Sequence, residues 1–378
     1  MTNTSAPGVY GQDVYITPAP RFVTGVPVFL GYAKTGATNT PQRLVLWSQF
    51  ESASGPALDD GYLAHAVRGF SENDGLMCYV VRLDDNATPI DALRRGLDSV
   101  RDLSEIDLIC APDAMRANGQ TGVAYVAAVK AMQRELLDYC QNRRDCFAIL
   151  DGVPGMNLDD VKDQATVSGD FGALYYPWLY LGSGPNKQPL YVPPCGHVAG
   201  IYSRNDQRVG VHKAPANEAI EGVLDLQVNL TPDAVGELYA QGVNCLQAFP
   251  GRGIRVWGAR ALSSDPTWRY VNARRIFITI TRWVEQFMAG LVHEPNDIRL
   301  WVRIMREVGA FLLGMFQSGA LKGRTPDEAF FVKCDHETNN ADVIDAGLVV
   351  TQIGLALVAP AEFIDVRVIH GTSGVTVT

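Results

Sequence analysis

Few residues in this chain have the types and spacing of catalytic chemistry. Gly182-Ser183-Gly184-Pro185-Asn186-Lys187 has the outline of a phosphate-binding loop. It lacks the Gly directly before the Lys and the Ser or Thr after it that such a loop uses to hold phosphates and metal. Gly251-Arg252-Gly253 has no third glycine at the dinucleotide-binding spacing. His65, His197, His212, His293, His336 and His370 never recur at metal-ligand spacing, and there is no HExxH or GxSxG. Asp151 follows a strand-like run, at the end where α/β enzymes keep their chemistry. An Asp before a Gly is more simply a turn-capping residue, and that is the role expected for it. The expectation is no catalytic, cofactor-binding or metal-binding residue, and no cofactor.

Seven cysteines stand singly among apolar neighbours, with no CxxC pair, so they are expected to be buried free thiols of a reducing cytoplasm. The 378 residues exceed one ordinary core and fit two domains with extensions. A net charge of −9 argues against coating nucleic acid. No apolar run reaches the ~20 residues of a membrane span, so no membrane insertion is expected. The opening MTNTSAPGVYGQDV has neither a basic nor an apolar segment, so no signal peptide is expected. No repeat of 20 to 50 residues is visible.

Strand and helix patterns alternate from Val23 to about Leu190. Val26–Tyr32, Leu44–Trp47, Leu76–Val81, Asp107–Cys110 and Cys146–Leu150 are strand-like; Tyr62–Phe70, Pro89–Leu103 and Thr121–Asn142 are helical. This predicts an α/β domain on a mostly parallel sheet. Residues 182–196 read as a Gly/Pro-rich loop, Cys195–Arg208 as helix and 209–232 as irregular. Thr231-Pro232-Asp233 then opens another helix. Ile254-Arg255-Val256-Trp257 alternates as a strand after Gly251 and Gly253, which serve backbone conformation. Ser263-Ser264-Asp265-Pro266 has helix-cap character ahead of two long helices, and Phe330–Cys334 is a strand. Trp257, Trp268 and Trp301 are expected to be core anchors.

Both chain ends are β-prone and set apart from the body. Val9, Tyr10, Val14, Tyr15 and Ile16 lie between prolines, and Phe363, Ile364, Val366 and Val368 form an alternating run ahead of a Gly/Ser break. Such a segment either starts the domain's own sheet or pairs outside the molecule. In the helix beginning near Asn296, Arg299, Arg303 and Arg306 share one face, with Leu300, Ile304, Val308, Phe311 and Leu312 on the other. An Arg stripe in an acidic chain invites an acidic partner. It is equally a solvated face with Glu307 for company. Lys322 and Arg324 follow in the next loop.

The segment GRGIRVWGARALSSDPTWRYVNARR, within a match from 248 to 364, closely resembles the C-terminal domain of contractile tail sheath proteins. Pro7-Gly8-Val9-Tyr10 is similar to the start of many of them. The wording departs from the family at Thr281-Arg282-Trp283-Val284 and His293. The resemblance implies a mixed α/β (α+β) protein with an N-terminal β arm (1–20), an outer α/β domain (21–242), an inner, tube-facing sheath domain (243–360) and a C-terminal β arm (361–378). It implies arms exchanged between subunits and a helical homo-polymer of six-fold rings around an inner tube protein, with baseplate and terminal cap proteins as further partners. Contraction would drive the tube through a target envelope. The particle would assemble in the bacterial cytoplasm as a virion tail or a released injection device. On this reading the nine apolar arm residues named above exchange strands, and Arg299, Arg303, Arg306, Lys322 and Arg324 meet the tube. The alternatives are an α/β enzyme with an unrecognised site and a non-contractile tail or baseplate component.

Overall fold

Apolar runs without polar interruption require burial on both faces, and six of them obtain it in one parallel sheet. The computed structural model describes residues 23–360, apart from positions 117, 156, 185 and 186, and the backbone of 368–371 and 374–377. Strands β1 (Pro27–Gly31), β2 (Gln42–Leu44), β3 (Cys78–Arg82), β4 (Leu108–Cys110), β5 (Phe147–Asp151) and β6 (Gly172–Tyr176) come first. Next, β7 (Leu179–Ser183), β8 (Pro189–Val192) and β9 (Asp225–Leu226) form a small sheet of their own. The chain returns to the main sheet with β10 (Val243–Phe249) and β11 (Gly253–Trp257). The eight strands run in the order β11-β10-β6-β5-β4-β1-β3-β2, parallel throughout except at the two ends. The chain passes from β1 to β3 and then crosses to β4 on the other side of β1. In such sheets that reversal is where a ligand crevice opens, at the carboxyl ends of the strands.

Helices cover both faces. Those of this body are α1 (Trp47–Ser54), α2 (Leu63–Glu72), α3 (Pro89–Asp98), α4 (Gly122–Arg143), α5 (Leu158–Gln164), α6 (Cys195–Arg208) and α7 (Pro232–Ala240). α2 and α6 lie on one face, α3 and α4 on the other, with α5 and α7 beyond α4. Thr231 caps α7 by accepting from the Ala234 amide, as expected. The α2–α6 contact is backbone-close. A Cβ on Gly196 would stand 2.2 Å from the Ala66 carbonyl oxygen, so only glycine fits.

A second unit follows, built from α8 (Val271–Ala289), α9 (Ile298–Gln317), the short α10 (Pro326–Ala329) and α11 (Ala341–Asp345), and β12 (Phe330–Lys333) paired with β13 (Gln352–Leu355). Its core gathers Ile276, Ile280, Trp301, Ile304, Val308 and Leu312. Trp283 of α8 stacks on Phe311 of α9 at 3.9 Å. Asp297 caps α9 by accepting from the Arg299 and Leu300 amides.

Several sequence expectations shift. The boundary at 242/243 falls inside the first body, because β10 pairs with β6 and both β10 and β11 continue the main sheet. The two cores meet along α8, which gives Val271 and Ile278 to the first and Ile276 and Ile280 to the second. The strand expected over Leu44–Trp47 ends at Leu44. The Gln49 side chain accepts from the amides of Val45 and Leu46, which turns the chain into α1. The loop expected over 182–196 contains β8, and the irregular stretch 209–232 contains β9. Trp301 is buried, but Trp257 is 39% exposed on edge strand β11, resting on Phe249, and is not a core anchor.

Candidate assembly interfaces

At the sheet's carboxyl edge the acidic side chains are already engaged. Asp151 Oδ1 accepts from the Cys195 amide at 2.7 Å, so it caps α6 rather than the turn at Gly152. Burial pushes its carboxyl up to about 7. Asp113, at the β1/β4 crevice, accepts from the amides of Tyr32 and Tyr62, each at 2.6 Å. Burial pushes Asp113 up to about 6. A Cβ on Gly31 would stand 2.5 Å from its Oδ2, so strand and carboxylate are fitted to each other. Of the phosphate-loop outline, Gly182 and Ser183 end β7 and the chain returns as β8. The outline therefore spans the connection of an antiparallel hairpin rather than a strand-to-helix phosphate loop. His65 and His197, distant in sequence, meet between α2 and α6. Burial, helped by His65 and Arg68, pushes His197 down to about 3.

The residues that sequence reasoning passed over lie where α8 enters the body. Arg274, Arg275 and Arg282 are all buried. Arg275 forks onto Asp206 of α6, with Nη1 2.9 Å from Oδ1 and Nη2 2.6 Å from Oδ2. Its Nη2 also lies 3.0 Å from Asp107 Oδ2. Asp107 further accepts from the amides of Gly25 and Val26, so its charge is fully hydrogen-bonded. Burial opposes the Arg275 charge, but the two carboxylates outweigh it and raise its pKa. Arg274 pairs with Asp170 at 3.1 Å and lies 3.5 Å from the Trp268 ring centroid. Arg282 donates to the Ser104 carbonyl oxygen at 2.6 Å. One helix is thus bolted to three parts of the body. The sequence signal was available: two adjacent Arg on the first turns of a helix cannot both point to water once the helix is packed on more than one side.

The outward face of α9 carries Arg299, Arg303 and Arg306, all exposed. Leu300, Ile304, Val308 and Leu312 are buried on its other side, and Phe311 is half-buried. Arg303 lies 3.6 Å from Glu294, and Arg306 lies 2.6 Å from Glu307. Exposed pairs of this kind contribute about 0–1 kcal/mol. Ile298 and Val302 share the exposed side with them, at 59% and 52% exposure. Lys322 and Arg324 are exposed beyond the far end of α9, about 16 Å of helix past Arg306. The structure therefore groups the three α9 arginines and leaves the two loop cations apart.

Among the described residues, neither β12 nor β13 has a further strand beside it. Phe331 on β12 is 57% exposed. Val368 begins β14 (Val368–Gly371), which pairs antiparallel with β15 (Gly374–Val377), opposite Val377. At Val368, the one residue of the expected arm set that is described, one edge is thus taken within the chain. Val9, Tyr10, Val14, Tyr15, Ile16, Phe363, Ile364 and Val366 lie outside the described residues. Among the described residues no helix is long and apolar enough to cross a membrane.

Comparison with known proteins agrees with this layout. Residues 106–262 match the phage tail sheath protein central domain, and residues 263–369 match the phage tail sheath C-terminal domain. A chain of the anti-feeding prophage baseplate superposes with a TM-score of 0.77 at 30% identity, covering 98% of this chain and 100% of that one. A chain of the PVC sheath complex, an extracellular contractile injection system in its contracted state, gives 0.77 at 27% identity, with 99% of each chain covered. The tail sheath protein of Salmonella phage ViI is 23% identical over 237 residues, 59% of this chain. This chain spans only 37% of the length of that phage protein.

Proposed function

The chain belongs to the phage tail sheath family, and we propose that it is the protomer of a contractile sheath, polymerising helically around an inner tube and contracting to drive it forward. The observation that carries the reading is the pair of strands β12 and β13, which among the described residues stand without a further strand partner, with Phe331 exposed on β12. On this proposal, terminal arms of neighbouring copies extend that small sheet, including Val9, Tyr10, Val14, Tyr15 and Ile16 at one end and Phe363, Ile364, Val366 and Val368 at the other. A strand added to an open edge satisfies backbone groups on both partners. Each such hydrogen bond contributes about 1 kcal/mol net, so several per arm give a durable link.

The Arg275–Asp107–Asp206 lock makes α8 continuous with the sheet, so body and C-terminal unit would move together and the arms would bend. Contraction is then a rigid-body passage between two packings, with six-fold rings sliding on flexible tethers. The α9 arginines would face the tube, in salt-sensitive contacts that release on contraction. Lys322 and Arg324 would lie further along the same surface. Baseplate and cap proteins would end the polymer, and assembly would precede release from a bacterial cytoplasm. No turnover is assigned, since Asp113 and Asp151 are spent on backbone amides.

Negative-stain microscopy of the purified full chain tests this. Striated tubes or short, wide ones are expected, and removal of residues 1–22 should leave a folded monomer that forms neither. A discrete small oligomer that turns over a substrate would instead favour the enzyme alternative.

A further inference from the structure

A cleft of about 580 Å³ lies over the carboxyl ends of β4, β5 and β6, and the sheath reading gives it no role. That size is typical of a small-molecule site, and its place is where α/β sheets take ligands. Tyr62, Tyr125 and Tyr191 line it, each half-buried, with Trp178 buried behind them. Each ring is held in place without a ligand. Tyr62 stands edge-on to Trp178 at 5.1 Å, and Trp178 Nε1 donates to the Gly152 carbonyl. The Tyr125 hydroxyl donates to the Met115 carbonyl, and Tyr191 leans on Tyr180 at 5.3 Å. Rings fixed in advance cost little ordering when a ligand arrives.

The polar groups decide what could lie on those rings. Asp59 and Asp160 line the cleft and have no ion-pair partner among the described residues. They accept hydrogen bonds and repel anions. Thr121 and Gly122 bring the N-terminus of the 22-residue helix α4 to the same cleft, and no side chain caps it. Its free amides donate and carry the positive end of the helix dipole, which disfavours a cation. Among the described residues no Lys, Arg, His or Cys lines the cleft and no group of three or more metal-ligating side chains gathers, so a phosphate finds carboxylates without a basic side chain and a metal ion finds no full ligand set. A ligand that must donate to carboxylates, accept from amides, lay an apolar face on aromatic rings and carry no charge is a polyol ring. We propose that this cleft binds neutral saccharide, with Tyr62, Tyr125 and Tyr191 as stacking platforms and Asp59 and Asp160 as hydroxyl acceptors.

The test is a neutral glycan array probed with the labelled full chain, followed by calorimetry with the strongest oligosaccharide found. Tetramethylammonium chloride and a lysine-rich peptide serve as cationic probes. Saturable binding of a neutral oligosaccharide is expected, weakened about tenfold by Tyr191→Ala, in line with the loss of one aromatic platform. The exposed Asp59→Asn, which leaves the packing untouched, should weaken it measurably while circular dichroism stays unchanged. The proposal is overturned if no neutral glycan binds, if only the cationic probes or acidic glycans bind, or if Tyr191→Ala and Asp59→Asn both bind as well as the unaltered chain. None of these outcomes bears on whether the chain forms tubes.

Discussion

In the α/β body, both edges of the main sheet are managed. β2 is only three residues long, and the outer edge of β11 is covered by residues 217–220, whose backbone groups bond those of Ile254 and Val256. In the C-terminal unit, two four-residue strands stand alone with Phe331 more than half exposed. Open edges are a liability that monomers blunt. On the proposed reading, the first region folds for itself and the second keeps bonding capacity for other molecules. The same contrast appears in charge. Buried Arg275 is saturated by carboxylates, while Arg299 on α9 has no carboxylate partner among the described residues.

The largest test of that contrast is the bolt between the regions. Arg275→Met strands two buried carboxylates and should cost about 3–5 kcal/mol in urea unfolding. A loss below 1 kcal/mol would mean that the regions are not mechanically joined there. Gly196→Ala drives a methyl into the Ala66 backbone and should cost about 3 kcal/mol by the same measurement, near the upper end for overpacking. An unchanged midpoint would show that the α2–α6 contact can relax.

The third test uses pH. His197 is a buried base held neutral, with its pKa pushed from 6.5 to about 3. The stability of keeping it neutral is complete above pH 6.5 and is lost as pH falls toward 3. At pH 5 the loss is about 2 kcal/mol. Asp113 and Asp151 act in the opposite sense. Their folded pKa values are raised, so their contribution is present below about 4 and fades as pH rises through about 6 and 7. Comparing His197→Phe with the unaltered chain cancels the aspartates. The variant should gain about 2 kcal/mol relative to the unaltered chain between pH 7 and pH 5. A constant difference across that range would remove His197 from the account.

The smallest expected change in stability belongs to the C-terminal unit. Phe331→Ser, and the triple change of Arg299, Arg303 and Arg306 to Glu, should each move the monomer's stability by less than about 0.5 kcal/mol. Phe331→Ser should nonetheless abolish polymerisation, and the triple variant should fail to form sheath on tube. Normal extended particles from the triple variant would refute the tube assignment.

Much of the body was legible because its signals are local. Uninterrupted apolar runs marked the buried strands, and Thr231-Pro232 marked the start of a helix. The amphipathic split of α9 also read correctly, since spacing on one helix needs no tertiary knowledge. What the sequence hid was non-local. Asp151 caps a helix 44 positions away, Asp107 meets Arg275 across 168 positions, and His65 meets His197 between two helices. The 242/243 boundary misled because β10 resembles any apolar strand and only its pairing with β6 assigns it to the first body. The resemblance within 248–364 carried the family, and the departures at Arg282 and Trp283 proved to be structural contacts, to Ser104 and Phe311.

A map of the assembled polymer, traced through β12 and β13, tests the central claim most directly. We expect backbone from neighbouring copies hydrogen-bonded along the outer edges of both strands, continuous with residues 1–22 of one copy and 361–378 of another. Edges left bare, or covered by the same copy's own ends, would contradict it.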